Sequence, residues 1–124
     1  MTEVVGLEIP AEPSLLPVVR MVVGGMAAKV DLSVDAIDDV HMALEELFWA
    51  SRERGGGGRC RMQITTGSDS LTIELGPFSS AQVLDRLTEP TCSLVARVVE
   101  LEVRERSSES VSILLTKRRE VRGQ

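Results

Sequence analysis

The sequence has few aromatic residues, few cysteines and a single histidine. Its 124 residues include two phenylalanines, one tryptophan, no tyrosine and two cysteines, Cys60 and Cys92. Two isolated cysteines are too few for a disulfide framework or a zinc site, so both are expected to be free thiols. The single His41 cannot form a metal cluster by itself. We therefore expect neither a disulfide-stabilised scaffold nor a metal centre.

Long apolar runs and an excess of positive charge are also lacking. No apolar run is long enough to span a bilayer, and residues 1–10 lack the basic start and apolar stretch of a signal peptide. A cytoplasmic protein with no membrane partner is expected. The formal net charge of -5 disfavours nucleic acid as a partner, because phosphate binding needs clustered Lys and Arg. The basic residues at 117–122 are typical of a solvated chain end.

What is present is a pattern of alternating strands and helices. The chain length suits one domain, expected to cover residues 1–124. A β-branched apolar run predicts a strand at 4–9. Apolar residues at helical spacing predict a first helix with an N-cap at Ser14 and a second helix with an N-cap at Ser33.

The second half of the chain has the pattern of two hairpins separated by helical segments. Pro77 is expected to end the second strand of the first hairpin. In chain order, the pattern predicts strands at 61–66 and 71–75, helical segments at 79–87 and 93–99, and strands at 100–106 and 111–117. Together with the first half, this order predicts an α+β fold. The expected architecture is a two-layer sandwich with a mixed, largely antiparallel sheet and helices on one face.

The second helix contains the one pair of adjacent aromatic residues, Phe48 and Trp49. Adjacent helical residues diverge by about 100°, so both cannot lie on the core stripe. Phe48 is four residues after Leu44 and fits that stripe. For Trp49 the alternatives are core packing, filling of a pocket or anchoring of an interface. The expected core stripe of this helix is Ile37, Val40, Leu44 and Leu47.

Several stretches, taken in order, resemble the anti-sigma-factor and serine-protein kinase family, whose members have a histidine-kinase-like (GHKL) ATPase fold. Residues 7–11 and 18–20 are similar to that family's first strand and helix. Residues 38–47 are similar to the helix that leads to its N box. Residues 101–103 and 112–117 are similar to its closing hairpin. The resemblance covers nearly the whole chain and implies a nucleotide site made of three boxes.

The first of these boxes is the N box, in which a glutamate general base precedes a magnesium-binding asparagine by four residues. Glu46 matches the glutamate, but Ala50 stands at the asparagine position. A methyl group cannot coordinate a hard cation that needs oxygen ligands. Phosphoryl transfer depends on the metal to neutralise phosphate charge. The resemblance therefore implies that Glu46 is a general base without its metal partner, whereas an isolated helical glutamate is ordinarily a solvated surface residue.

The other two boxes are also altered. In the Asp-x-Gly-x-Gly box the resemblance places Glu74 where the family's aspartate binds adenine. Gly76 remains, although a glycine before proline is also common in turns. Phe78 stands where a glycine would let the backbone approach the nucleotide. In the Gly-x-Gly-Leu box, whose amides cradle phosphate, the positions are occupied by Thr91, Ser93 and Leu94.

The expected function is that of a binding module. The resemblance implies a sigma factor or a STAS-type anti-anti-sigma protein as partner, a homodimer, and recognition through Arg20 of the first helix, with Trp49 as a second partner-binding candidate. We expect no bound cofactor. The alternatives are an active ATP-dependent serine kinase, for which ATP and magnesium would be required, and a structural subunit that serves only dimerisation.

Overall fold

The computed structural model describes residues 2–50, 58–79 and 95–120 of the chain. A short 3-10 helix precedes the first α-helix at Pro13–Leu15, and residues 95–98 are helical before the fourth strand. No helix in these described ranges is both long and apolar enough to cross a membrane. The main elements are β1 (Val4–Pro10), α1 (Leu16–Lys29), α2 (Val34–Ala50), β2 (Arg59–Thr66), β3 (Ser70–Ser79), β4 (Glu100–Glu105) and β5 (Ser110–Arg118).

The five strands form one sheet in the order β1-β2-β3-β5-β4, and every neighbouring pair in it is antiparallel. In the middle of the sheet Ile64 pairs with Ile73, and Ile73 pairs in turn with Leu115. Side chains alternate between the two faces of a strand, so these apolar residues share one face. Both α-helices contribute to the core on that face. The predicted α+β fold with helices on one face of a largely antiparallel sheet is confirmed.

The core lies between the helices and the sheet. Phe48 is fully buried, as predicted from its spacing to Leu44, and Ile37 is only partly buried at the edge of the core. Complete burial of one such side chain contributes about 1.5–3 kcal/mol. Prominent members of this core are Val19, Val23, Val40, Leu44, Leu47, Phe48, Met62, Ile64, Ile73, Leu75, Ile113 and Leu115.

One of the two predicted helix caps is confirmed and the other is wrong. The Ser33 hydroxyl accepts a hydrogen bond from the Ala36 amide at 3.1 Å, which is an N-cap contact at the start of α2. Ser14 caps nothing, because it lies inside the 3-10 helix and no side chain caps either that helix or α1. Pro13 opens that 3-10 turn, and α1 begins only at Leu16.

The prediction that Pro77 ends the second hairpin strand is wrong. β3 continues to Ser79 because β5 pairs with it on both sides of the proline, through Leu75 with Ile113 and through Phe78 with Val111. The register shifts between these two pairs. A proline cannot donate to the ladder, and such a shift is a position where that loss is tolerated. Of the predicted helix at 79–87, residues 80–87 lie outside the described residues.

Candidate functional site

Glu46, the candidate general base, is on α2 and is partly exposed. Asp39 precedes it by seven residues, about two helical turns, so both carboxylates lie on the same side of the helix. Ala50 and Trp49 are the last residues of α2, and their side chains lie outside the described residues. The structure therefore places the N-box glutamate on the same side of α2 as a second acidic residue, two turns away.

Lys117 connects that side of α2 to the sheet. Its Nζ atom donates to Asp39 Oδ2 at 3.1 Å and to the Val98 carbonyl at 2.5 Å, and its side chain is only 13% exposed. One ammonium thus joins α2, the end of the helical residues 95–98 and β5. Sequence reasoning placed Lys117 at the end of the last predicted strand and in a basic chain end, and assigned it no contact. The alternation along the strand could have predicted that Lys117 faces inward, because Lys117 follows the inward residues Ile113 and Leu115 at the same two-residue spacing.

Glu74 lies on the other side of the sheet from Glu46. Its neighbour Leu75 is completely buried on the face that the helices cover, so alternation directs Glu74 to the outer face. There Glu74 Oε2 accepts a hydrogen bond from the Ser112 hydroxyl at 2.8 Å and forms an ion pair with the Arg106 guanidinium. The structure does not bring Glu46 and Glu74 together in one cleft.

Gly76 and Phe78 have local packing roles. A Cβ atom at Gly76 would lie 3.2 Å from Ser112 Cβ and 3.3 Å from the Val111 carbonyl oxygen. The absent side chain therefore lets β3 and β5 approach closely at the register shift. Phe78 is 2% exposed and belongs to the core. The three residues of the third box, Thr91, Ser93 and Leu94, lie outside the described residues.

The candidate partner-binding residue Arg20 is on the exposed surface of α1. Its guanidinium donates to Glu45 Oε2 of α2 at 2.8 Å, and both side chains are nearly half exposed. Two large apolar side chains close to it in sequence are also exposed, Val18 and, at 77%, Met21. α1 thus presents a charged group and apolar surface together, a combination that suits protein recognition.

The two helices are in close contact beside that ion pair. A Cβ atom at Gly24 would lie 3.9 Å from His41 Nε2, so the imidazole of α2 packs over the glycine of α1. His41 Nε2 is buried and has no hydrogen-bond partner among the residues that the structure describes. A Cβ atom at this distance would make an ordinary van der Waals contact with the ring, so the packing does not by itself require glycine at position 24.

A second cluster of charge lies at the outer edge of the sheet. Arg59 donates a hydrogen bond to Glu8 Oε1 at 3.1 Å, and Arg61 Nε lies 3.5 Å from Glu8 Oε2. The hydrogen bond from Arg59, and next the positive charge of Arg61, lower the pKa of the Glu8 carboxyl. These groups are well exposed, so they keep the outer face solvated and contribute little to stability.

Comparison with known proteins shows relatives over nearly the whole chain. No family model matches the sequence. The serine-protein kinase RsbW of Bacillus velezensis is 24% identical over 132 aligned positions, which cover 90% of this chain and 82% of the relative. RsbW of Bacillus subtilis is 23% identical with the same coverage. RsbW of Bacillus pumilus is 21% identical, with 93% of this chain and 85% of the relative covered. The similarity supports the resemblance to serine-protein kinases of the anti-sigma-factor type.

Proposed function

We propose that the protein is a cytoplasmic regulatory binding protein of the anti-sigma-factor type. It sequesters a sigma factor or binds a STAS-type anti-anti-sigma partner, and it does so without ATP turnover. The observation that carries the proposal is the contrast between similarity to RsbW proteins over 90% of the chain and side chains that do not suit a nucleotide. The similarity extends over nearly the whole chain, whereas the residues at the nucleotide-site positions differ from those that the resemblance implies.

The residues in the nucleotide-site positions do not fit magnesium-bound ATP. Ala50 offers no oxygen to a magnesium ion. The residue next to Glu74 that faces the helices is Leu75, a fully buried apolar side chain. The adjacent carboxylate, Glu74, is directed to the opposite face and already paired with Arg106. A polar base placed against Leu75 would lose its hydrogen bonds to water without replacement. Glu46 therefore has no phosphate chemistry to perform in this proposal.

The surface of α1 around Arg20 is the proposed partner-binding site. Arginine can make bidentate bonds to a carboxylate and stack on an aromatic ring, and it is enriched among residues that dominate binding energy. Its present partner, Glu45, is about half exposed, so exchanging this contact for one with a partner protein costs little. The exposed Met21 would add apolar contact area. Trp49, at the end of α2, is a second candidate anchor.

The same helix carries the proposed homodimer contact. Val18 is 44% exposed although it is apolar, and Val22 is only partly buried against the core. Met26 of the same helix, which was also expected at this contact, is instead buried in the core. Burying Val18 and Val22 against a second copy would remove apolar surface from water. Sedimentation at micromolar concentration is expected to give a dimer. A monomer alone would refute this part of the proposal.

The test combines affinity capture with matched variants. The tagged protein, retrieved from lysate of its own source cells, is expected to bring down a sigma factor or a STAS protein, identified by mass spectrometry. With that partner purified, Arg20→Ala should weaken binding at least about thirtyfold without loss of folding. Glu45→Ala breaks the same ion pair but keeps Arg20, so it should retain most of the affinity. An equal loss of partner affinity in both variants would show that binding depends on the intact Arg20–Glu45 ion pair and not on a direct contact of Arg20 with the partner.

The second candidate is an active serine kinase, favoured by the name of the RsbW relatives and by Glu46. Calorimetry with Mg-ATP and phosphoryl transfer to the captured partner separate the two proposals. We expect no ATP binding at millimolar concentration and unaltered partner binding by Glu46→Ala. ATP binding, together with lost function in Glu46→Ala and unchanged affinity in Arg20→Ala, would favour the enzyme.

A further inference from the structure

The outer face of the sheet, away from the helices, contains a depression of about 340 Å³. Ligand-binding cavities in proteins have volumes of about 300–1,000 Å³, so it is large enough for a small molecule. The depression lies where β3 shifts register against β5. It has room because Gly76 has no side chain and Ser112 has a short one.

Three polar side chains contact one another in this depression, Glu74 of β3, Ser112 of β5 and Arg106 of the turn between β4 and β5. Ser112, which is 5% exposed, donates to Glu74 Oε2 at 2.8 Å and accepts from Arg106 Nε at 3.0 Å. Arg106 also forms an ion pair with the same carboxylate oxygen. Glu74, Ser112 and Arg106 each contact the other two, so these contacts orient the three side chains in the absence of a ligand. Such preorganisation lowers the cost of binding.

The fixed groups retain unused hydrogen-bonding capacity of both kinds. Glu74 Oε1 has no hydrogen-bond partner among the described residues, although a carboxylate oxygen can accept two. Arg106 has five N–H donors, and its two contacts in the cluster leave others free. Arg61 also lines the depression, with a side chain that is 73% exposed and held by Glu8 only at 3.5 Å, which is too long for a strong hydrogen bond.

The depression contains both a free carboxylate acceptor and free guanidinium donors. Together they determine which distribution of charge a ligand must have. A simple anion would pair with the guanidinium groups but leave Glu74 Oε1 without a donor, and a simple cation would pair with Glu74 but meet the like charges of Arg61 and Arg106. A molecule with both charges a few ångströms apart satisfies all three groups. We propose that this depression binds a small zwitterion of the α-amino-acid class, with its ammonium group on Glu74 and its carboxylate on Arg61 and Arg106. The depression is on the opposite face from α1, so the inference does not rest on the proposed function.

The first test is titration of the isotope-labelled protein with each of the twenty L-amino acids, followed by amide NMR spectra. At least one amino acid is expected to give saturable shifts at Gly76 and Ser112. The N-acetyl derivative and the methyl ester of that amino acid, which lack the ammonium or the carboxylate charge, should each bind at least about tenfold more weakly. No shift with any amino acid up to about 10 mM, or undiminished binding of either derivative, would overturn the proposal.

The second test uses two matched arginines of β2. Arg59 and Arg61 both lie on the outer face and both contact Glu8, but only Arg61 lines the depression. Arg61→Gln should weaken binding of the amino acid by about tenfold, whereas Arg59→Gln should change it less than about twofold. Both side chains are well exposed, so neither variant should unfold. Equal effects of the two substitutions would overturn the assignment of Arg61.

Discussion

Replacement of Lys117 by methionine should destabilise the protein far more than an ordinary surface substitution. Methionine keeps the length of the side chain but removes the ammonium group that bonds Asp39 Oδ2 and the Val98 carbonyl. A hydrogen bond to a charged group contributes about 1.5–3 kcal/mol in a folded protein. Asp39 is 32% exposed, and water replaces part of what its carboxylate loses. We therefore expect a loss of about 2 kcal/mol, since the Val98 carbonyl also loses its donor.

The measurement is equilibrium unfolding in urea and by heat, with Arg118→Met as the matched control. Arg118 is the next residue of β5, and its ion pair with Glu100 is more than 60% exposed on both sides. The Lys117 variant should melt about 8 °C lower, whereas the Arg118 variant should lose less than about 1 kcal/mol. A double-mutant cycle with Asp39→Asn should show coupling. Similar small losses for both methionine variants would refute the reasoning.

Two further predictions concern the glycines and the outer-edge carboxylate. Gly76→Ala should cost about 1–3 kcal/mol in urea unfolding, because its new methyl group would lie 3.2 Å from Ser112 Cβ. Gly25→Ala on α1 should be stabilising by up to about 1 kcal/mol, because nothing lies within 4 Å of the added Cβ. A stabilising Gly76→Ala together with a destabilising Gly25→Ala would contradict both predictions. In an NMR titration Arg59→Gln should raise the pKa of Glu8 more than Arg61→Gln does, because the Arg59 hydrogen bond is the larger cause of its depression. A carboxyl whose pKa is depressed on folding is stabilising above its unfolded pKa and loses that effect as pH falls through its folded pKa. The stability of wild type and Arg59→Gln should therefore converge in acid, and an unchanged Glu8 titration would contradict this.

The parts of the fold that the sequence predicted are those set by local periodicity. The core positions of α2 follow from 3.6-residue spacing, and the Ser33 cap follows from a side chain close to the amide it bonds. The parts that were missed depend on distant strands. β3 passes through Pro77 because β5 supplies partners beyond it, and no local propensity contains that information. The contact of Lys117 with Asp39 joins residues 78 positions apart, so alternation along the strand is compatible with an inward lysine but does not identify its partner.

The candidate nucleotide site shows how strand geometry constrains a motif. Similarity of short stretches placed Glu74 at the position of an adenine-binding aspartate. Sequence similarity alone does not determine on which face of the sheet that side chain lies. A one-residue offset along a strand transfers every side chain to the other face of the sheet. In the structure the helix-covered face receives Leu75, and the carboxylate of Glu74 is held on the outer face by Ser112 and Arg106. A carboxylate introduced at position 75 is the smallest change that would place an acidic side chain on the helix-covered face. Leu75→Asp would place a charge among buried apolar side chains, at a cost of several kcal/mol unless a bound ligand pairs with it. The leucine at this position is therefore favourable for stability, and this agrees with the proposal of a binding protein without ATP turnover.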